Sequence, residues 1–153
     1  MNALEHKIPP PVVTLVAGLA MWATARYTPH LMLADAARLI LAAGALIAGL
    51  AFLASGFLAF SRARTTINPV NLESATSLVT TGIFRISRNP MYVGFTALLT
   101  AWACYLAAPW ALIGVATFVL FTWRFQILPE ERVMRAKFGS TYEEYQRQVP
   151  RWL

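Results

Sequence analysis

Four apolar stretches dominate the chain and leave little room for anything else. They cover roughly residues 12–25, 39–60, 91–107 and 110–123. A membrane span takes about 20 apolar residues, so four spans use roughly half of such a chain. At 153 residues, 58% hydrophobic and 13% charged, the protein carries about half the charged fraction of a soluble domain. A disordered chain is excluded and an ordinary soluble domain is disfavoured. The expected fold is all-α: one membrane-embedded domain over residues 1–153, with about four transmembrane helices, a cytoplasmic loop and a C-terminal helical segment. The first and third stretches are short for a span, and Tyr27, Tyr92 and Trp110 can anchor them at the interface.

A removable leader is the competing reading of the first stretch. His6 and Lys7 precede it, and Ala23-Thr24-Ala25 resembles a cleavage site. Pro9-Pro10-Pro11 between charge and apolar core, together with Glu5, speaks against removal.

The net charge of +6 would point to nucleic acid in a soluble protein. Here the basic residues flank apolar stretches, where the positive-inside rule explains them better, and no nucleic-acid partner is expected. The second loop holds Arg62, Arg64, Arg85 and Arg88, and the tail holds Arg124, Arg132, Arg135, Lys137, Arg147 and Arg151. The first loop holds only Arg26 and Arg38, and the third holds no basic residue. Both termini are therefore expected in the cytoplasm. No Asp, Glu, Lys, Arg or His lies inside spans two to four, which disfavours a coupled carrier. Gly44, Ala45, Ala48, Gly49, Ser55 and Gly56 in span two suit close helix contact.

Chemistry has to sit at the cytoplasmic edge, where the loop over residues 61–89 and the tail both lie. A loop of that length in so small a protein is usually functional. It contains Thr65-Thr66, Pro69, Thr80-Thr81-Gly82 and Arg88-Asn89-Pro90. Asn89 and Pro90 fit an N-cap and first helical residue, and the helix start they define can also hold an anionic ligand group. Glu130-Glu131 behind Pro129 fits helix-dipole chemistry equally well, or a carboxylate for an ammonium group or ribose hydroxyls. Arg124 would share a face with Glu131 in a continuous helix, but Pro129 argues against continuity. In the tail, Met134, Phe138, Tyr142, Tyr145 and Val149 form an apolar stripe. Gly139 interrupts it, and capping-box spacing at Ser140/Glu143 or Thr141/Glu144 restarts a helix. The stripe packs either on the membrane surface or back over the loop as a lid. The lone Cys104 lies in an apolar run, and His6 and His30 lack spaced partners, so no metal site is expected.

Taken in order, Leu78-Val-Thr-Thr-Gly-Ile-Phe84, Arg85-Ile-Ser-Arg-Asn-Pro-Met-Tyr-Val-Gly94, Gln126-Ile-Leu-Pro-Glu-Glu-Arg132, Lys137-Phe-Gly-Ser-Thr-Tyr-Glu-Glu-Tyr145 and Val149-Pro-Arg-Trp152 resemble the isoprenylcysteine carboxyl methyltransferase family, in the broad sense that includes phospholipid methyltransferases. The resemblance covers about residue 65 to the C-terminus. It implies an integral membrane enzyme that transfers a methyl group from S-adenosylmethionine to a small lipophilic acceptor, releasing S-adenosylhomocysteine. By motif, Gly82, Arg88, Asn89, Pro90, Tyr92, Gly94, Glu130, Glu131, Tyr142 and Tyr145 are the implied cofactor residues, with Arg124 and Glu131 as candidates for the catalytic step. Many carboxyl-methylating members carry His at the position of Asn89, and Arg one turn before the acidic pair, where this chain has Gln126 and Ile127. Asn-Pro-Met-Tyr is closer to the phospholipid-methylating type. A bacterial inner-membrane location is the matching expectation. The alternatives are a non-catalytic membrane scaffold and a small nicotinamide-dependent reductase of similar helical arrangement.

Overall fold

A computed structural model describes residues 8–63 and 77–153. The calls on Glu5, His6, Lys7, Arg64, Thr65, Thr66 and Pro69 lie outside the described residues. Within them the protein is all-helical, with α1 (Pro10–Arg26), α2 (Asp35–Arg62), α3 (Pro90–Leu106), α4 (Leu112–Thr122) and α5 (Leu128–Gln148). Two helices are long and apolar enough to cross a membrane: α2, and the helical run from Pro109 to Gln148. At 1.5 Å per residue α2 is about 42 Å long, whereas the 17 residues of α1 and of α3 reach about 25 Å. Leu15, Val16, Ile40, Ile47, Leu50 and Ile113 are all more than half exposed, an apolar surface suited to lipid rather than water.

The helices alternate in direction, and the connections tie their ends together. The Ala107 carbonyl accepts a hydrogen bond from the Leu31 amide at 2.7 Å. His30 Nδ1 lies 2.9 Å from the Leu106 carbonyl. The α1–α2 and α3–α4 turns therefore share one end of the bundle. The start of α1, the end of α2, the start of α3 and the end of α4 share the other.

Small residues decide how closely α2 and α3 approach. A Cβ on Gly49 would lie 3.0 Å from the Gly94 carbonyl oxygen, and one on Gly94 would lie 3.0 Å from that of Gly49. This reciprocal crossing places backbone against backbone, as small residues allow in membrane helices. Gly56 receives Met91, whereas Gly44 meets nothing within 4 Å. On the other side, Met21 and Ala25 of α1 pack with Leu99, Ala103 and Phe118. Trp102 Nε1 donates to the Gly18 carbonyl at 3.0 Å.

The helix does not break at Pro129. It widens into a π turn over Trp123–Ile127, with the Leu128 amide bonded to the Trp123 carbonyl. Proline lacks an amide proton and its ring crowds the carbonyl four residues back, and the wider turn accommodates both. The turn also changes register. Arg124 is exposed while Glu131 is buried, so the shared face of a regular helix is lost. The tail kinks at Gly139, with φ 52° and ψ −129°. Its stripe turns inward: Tyr142, Tyr145 and Val149 are buried against Val79 and Phe84, with Met134 and Phe138 packed beside them. The tail packs over residues 78–84 instead of lying on a lipid surface.

Candidate functional site

Three segments distant in sequence meet at the end of the bundle where α3 begins. The link is largely main-chain. The Arg88 amide donates to the Pro150 carbonyl at 3.0 Å, and Arg88 Nε donates to that of Val149 at 3.0 Å. Asn89 Nδ2 donates to the Arg151 carbonyl at 3.0 Å. Ser87 Oγ donates to the same oxygen at 3.3 Å and accepts from the Asn89 amide at 3.1 Å. Asn89 stands at the N-cap of α3, but its side chain makes no capping bond; it holds the C-terminal strand of chain instead. Pro90 occupies the first turn as expected.

Glu131 closes this cluster. Its Oε1 accepts from Arg88 Nη1 at 2.9 Å and from Arg151 Nε at 2.8 Å, and its Oε2 accepts from Arg151 Nη2 at 2.8 Å. Glu131 is 5% exposed, so two guanidinium groups compensate a buried charge. The Glu131 pairing raises the Arg151 pKa further, and partial burial works against it.

Glu130 has a different environment. It projects into a cavity of about 370 Å³, and its Oε1 accepts a bond from the Tyr92 hydroxyl at 2.6 Å. It lies in the first turn of α5, beyond the apolar stretch that ends at Trp123. Burial pushes its pKa from 4.5 up to about 7; the Tyr92 bond lowers it and the Glu131 charge raises it. Adjacent acids on one cavity thus have separate partners, Glu131 locked by two arginines and Glu130 bonded to Tyr92.

Arg88, Asn89 and Pro90 also line the cavity, with Tyr142 and Tyr145 from the tail. Burial raises the pKa of both tyrosines, and the Tyr145 hydroxyl donates to the Phe84 carbonyl at 2.6 Å. Phe60, Leu78, Val79, Phe84, Met91 and Phe95 supply apolar wall.

Of the residues expected at the cofactor, Arg88, Asn89, Pro90, Tyr92, Glu130, Glu131, Tyr142 and Tyr145 converge here. Gly82 and Gly94 do not line this cavity. Gly82, at φ 62°, borders a second cavity with Arg62 and Ile86, and Gly94 serves the α2–α3 crossing. Arg124 lies outside it too, its guanidinium 5.4 Å from the Phe125 ring. Sequence reasoning read Arg151 only as an orientation signal and gave it no part in the site, although it sits in a quoted motif. It also missed Pro9, Pro10 and Pro11, which line the cavity and carry no local signal of doing so.

A family model described as phospholipid methyltransferase matches residues 37–141. An uncharacterized protein of Haemophilus influenzae is 40% identical over 63 residues, which is 41% of this chain and 100% of that protein. The "Probable protein-S-isoprenylcysteine O-methyltransferase" of Oryza sativa subsp. indica is 33% identical over 91 residues, 58% of this chain and 46% of the relative. "Protein-S-isoprenylcysteine O-methyltransferase B" of Arabidopsis thaliana is 33% identical over 92 residues, 58% of this chain and 45% of the relative. The chain thus spans under half the length of these two named relatives. No solved structure matches. The match over residues 37–141 contains the α2–α3 crossing, Arg88, Tyr92 and both glutamates, and on that ground the chain belongs to the phospholipid methyltransferase family.

Proposed function

We propose that the cavity binds S-adenosylmethionine and that the protein transfers its methyl group to a lipophilic acceptor at the cytoplasmic membrane edge. The observation that carries this reading is the division between the two acids. Both line a cavity of about 370 Å³, within the usual range for small-molecule sites, but Glu131 is saturated by Arg88 and Arg151, whereas Glu130 bonds the neutral Tyr92 hydroxyl.

The residues fit the cofactor. Glu130 would hold its ammonium group or ribose hydroxyls. The start of α3 would hold its carboxylate, because Met91 and Tyr92 precede the first intrahelical bond, from Val93 to Asn89. When bound, the cofactor supplies a sulfonium methyl already activated for transfer. The protein's task is then to align the acceptor and exclude water, and Tyr142 and Tyr145 close the cavity for that purpose. Among the described lining residues the basic side chain is Arg88, which already donates to Glu131 and Val149. An acceptor with an uncharged nucleophile therefore fits better than a carboxylate, which would meet Glu130.

Four spans with both termini in the cytoplasm are part of the same proposal. The basic residues Arg62, Arg85, Arg88, Arg132 and Arg151 lie at the end of the bundle that carries the site, which supports that orientation.

Calorimetric titration of S-adenosylhomocysteine into the purified protein in detergent tests the reading. The wild type is expected to bind. Glu130→Gln is expected to weaken binding about tenfold or more, since a hydrogen bond to a charged group contributes about 1.5–3 kcal/mol. No binding by a folded, monodisperse wild type would refute the proposal.

A further inference from the structure

We propose that the proline run at the start of α1, residues 9–11, is the acceptor-side wall of the cavity and selects the apolar chains that enter; this rests on the methyltransferase reading above. The cavity is bordered by two helix starts of opposite character. At α3 the amides of Met91 and Tyr92 precede the first intrahelical bond, so that side can receive polar and anionic groups. At α1 the described residues offer no such amides. Pro9, Pro10 and Pro11 carry no amide proton, and the next two amides, of Val12 and Val13, are both bonded to the Pro9 carbonyl at 3.0 and 3.3 Å. Among the described residues, the prolines on this side present ring methylenes and no amide donor. It suits a hydrocarbon chain and gives nothing to the polar edges of a nucleoside or an amino acid.

The wall is held in place. Gln126, 3% exposed and within the π turn that precedes Glu130, donates from Nε2 to the Ile8 carbonyl at 2.7 Å. Farther along α1, Met21 and Ala25 lock into the core beneath. The wall also borders lipid, because Val12, Leu15 and Val16 are 46%, 64% and 60% exposed. A chain leaving the bilayer along α1 would pass these residues into the cavity. Finally, α1 precedes the region matched to the family, which begins at residue 37. The polar half of the cavity lies mainly inside that region, and the proline wall lies outside it. Selection of the acceptor is thus assigned to a part of the chain separate from the cofactor half.

The test fills the wall without touching its buried member. Pro9→Trp and Pro11→Trp alter the two exposed prolines and leave buried Pro10 in place. The probe is hexadecanol carrying a mid-chain diazirine and a terminal alkyne, photolysed with protein saturated in S-adenosylhomocysteine and mapped by peptide mass spectrometry. Labelling of residues 91–95 is expected in the wild type and should fall about fivefold or more in the variants, while S-adenosylhomocysteine affinity stays within about threefold. Unchanged labelling in both folded variants overturns the proposal. So does about a tenfold loss of S-adenosylhomocysteine affinity with labelling retained, which would put the prolines on the cofactor. A folded wild type that fails to bind S-adenosylhomocysteine overturns the methyltransferase reading, and the same labelling comparison without S-adenosylhomocysteine then decides the wall.

Discussion

Replacing Glu130 with Gln is expected to stabilise the protein above pH 7 while weakening cofactor binding. The stability term follows from the raised pKa of Glu130, from 4.5 to about 7. In the unfolded chain the carboxyl ionises near its ordinary value, whereas the folded state keeps the proton about 2.5 units longer. Stability is therefore full below about pH 4.5, falls as pH rises through the window between the two values, and is lowest above about 7. At 1.36 kcal/mol per unit the loss is about 3 kcal/mol. Glutamine retains an oxygen to accept the Tyr92 hydroxyl but carries no charge to desolvate. Unfolding in mixed micelles at pH 5 and pH 8 should show wild-type stability falling over that interval and a flat Glu130→Gln variant that exceeds it at pH 8. Binding runs the other way, because a cation in the cavity favours the ionised form. At pH 7 cofactor binding should release about half a proton, visible as a dependence of the calorimetric heat on buffer ionisation enthalpy. A Glu130→Gln variant that keeps the wild-type pH slope, or is less stable at pH 8, would refute the burial argument.

Other perturbations separate the site from its scaffold. Glu131→Gln should cost about 3–5 kcal/mol, since it leaves buried Arg88 without its carboxylate, and hydrogen exchange should rise at residues 149–151. Gly94→Ala should cost about 1–3 kcal/mol because its Cβ would lie 2.7 Å from Leu53 Cγ. Gly44→Ala, with nothing within 4 Å, should be neutral or stabilise by up to about 1 kcal/mol; detergent unfolding distinguishes them. Gly139→Ala places a side chain at φ 52° and should cost about 1–3 kcal/mol, with faster proteolysis of the tail. Reporter fusions at Leu153 and after Pro29 should report cytoplasmic and external positions; the opposite result would overturn the orientation.

The apolar stretches, their order and their approximate ends were legible along the chain. Hydrophobic burial depends on local composition, and a helix satisfies its own backbone bonds, so α1 to α4 need little tertiary information. Gly139 as an interruption and Pro90 as a helix start were legible for a similar reason, since backbone freedom belongs to the residue. The candidate small residues of span two were visible as a group. Which of them carry contact was not: Gly49 and Gly56 meet α3, and Gly44 meets nothing.

What local pattern could not supply was register and partnership. Pro129 read as a break, yet a π turn with Gln126 and Ile127 buried in it carries the helix through. That turn separates Arg124 from Glu131 and gives adjacent acids unlike surroundings. Two neighbouring glutamates are equivalent in a sequence. They differ once Arg88 and Arg151, 63 residues apart by number, close on one of them and Tyr92 reaches the other. The same holds for Pro9, Pro10 and Pro11, which meet Glu130 in one cavity across most of the chain. Composition and periodicity act over a few residues, so they specify the helices. A charge's partner and a cavity's far wall arise from contacts between distant segments, and those exist only after the helices have packed.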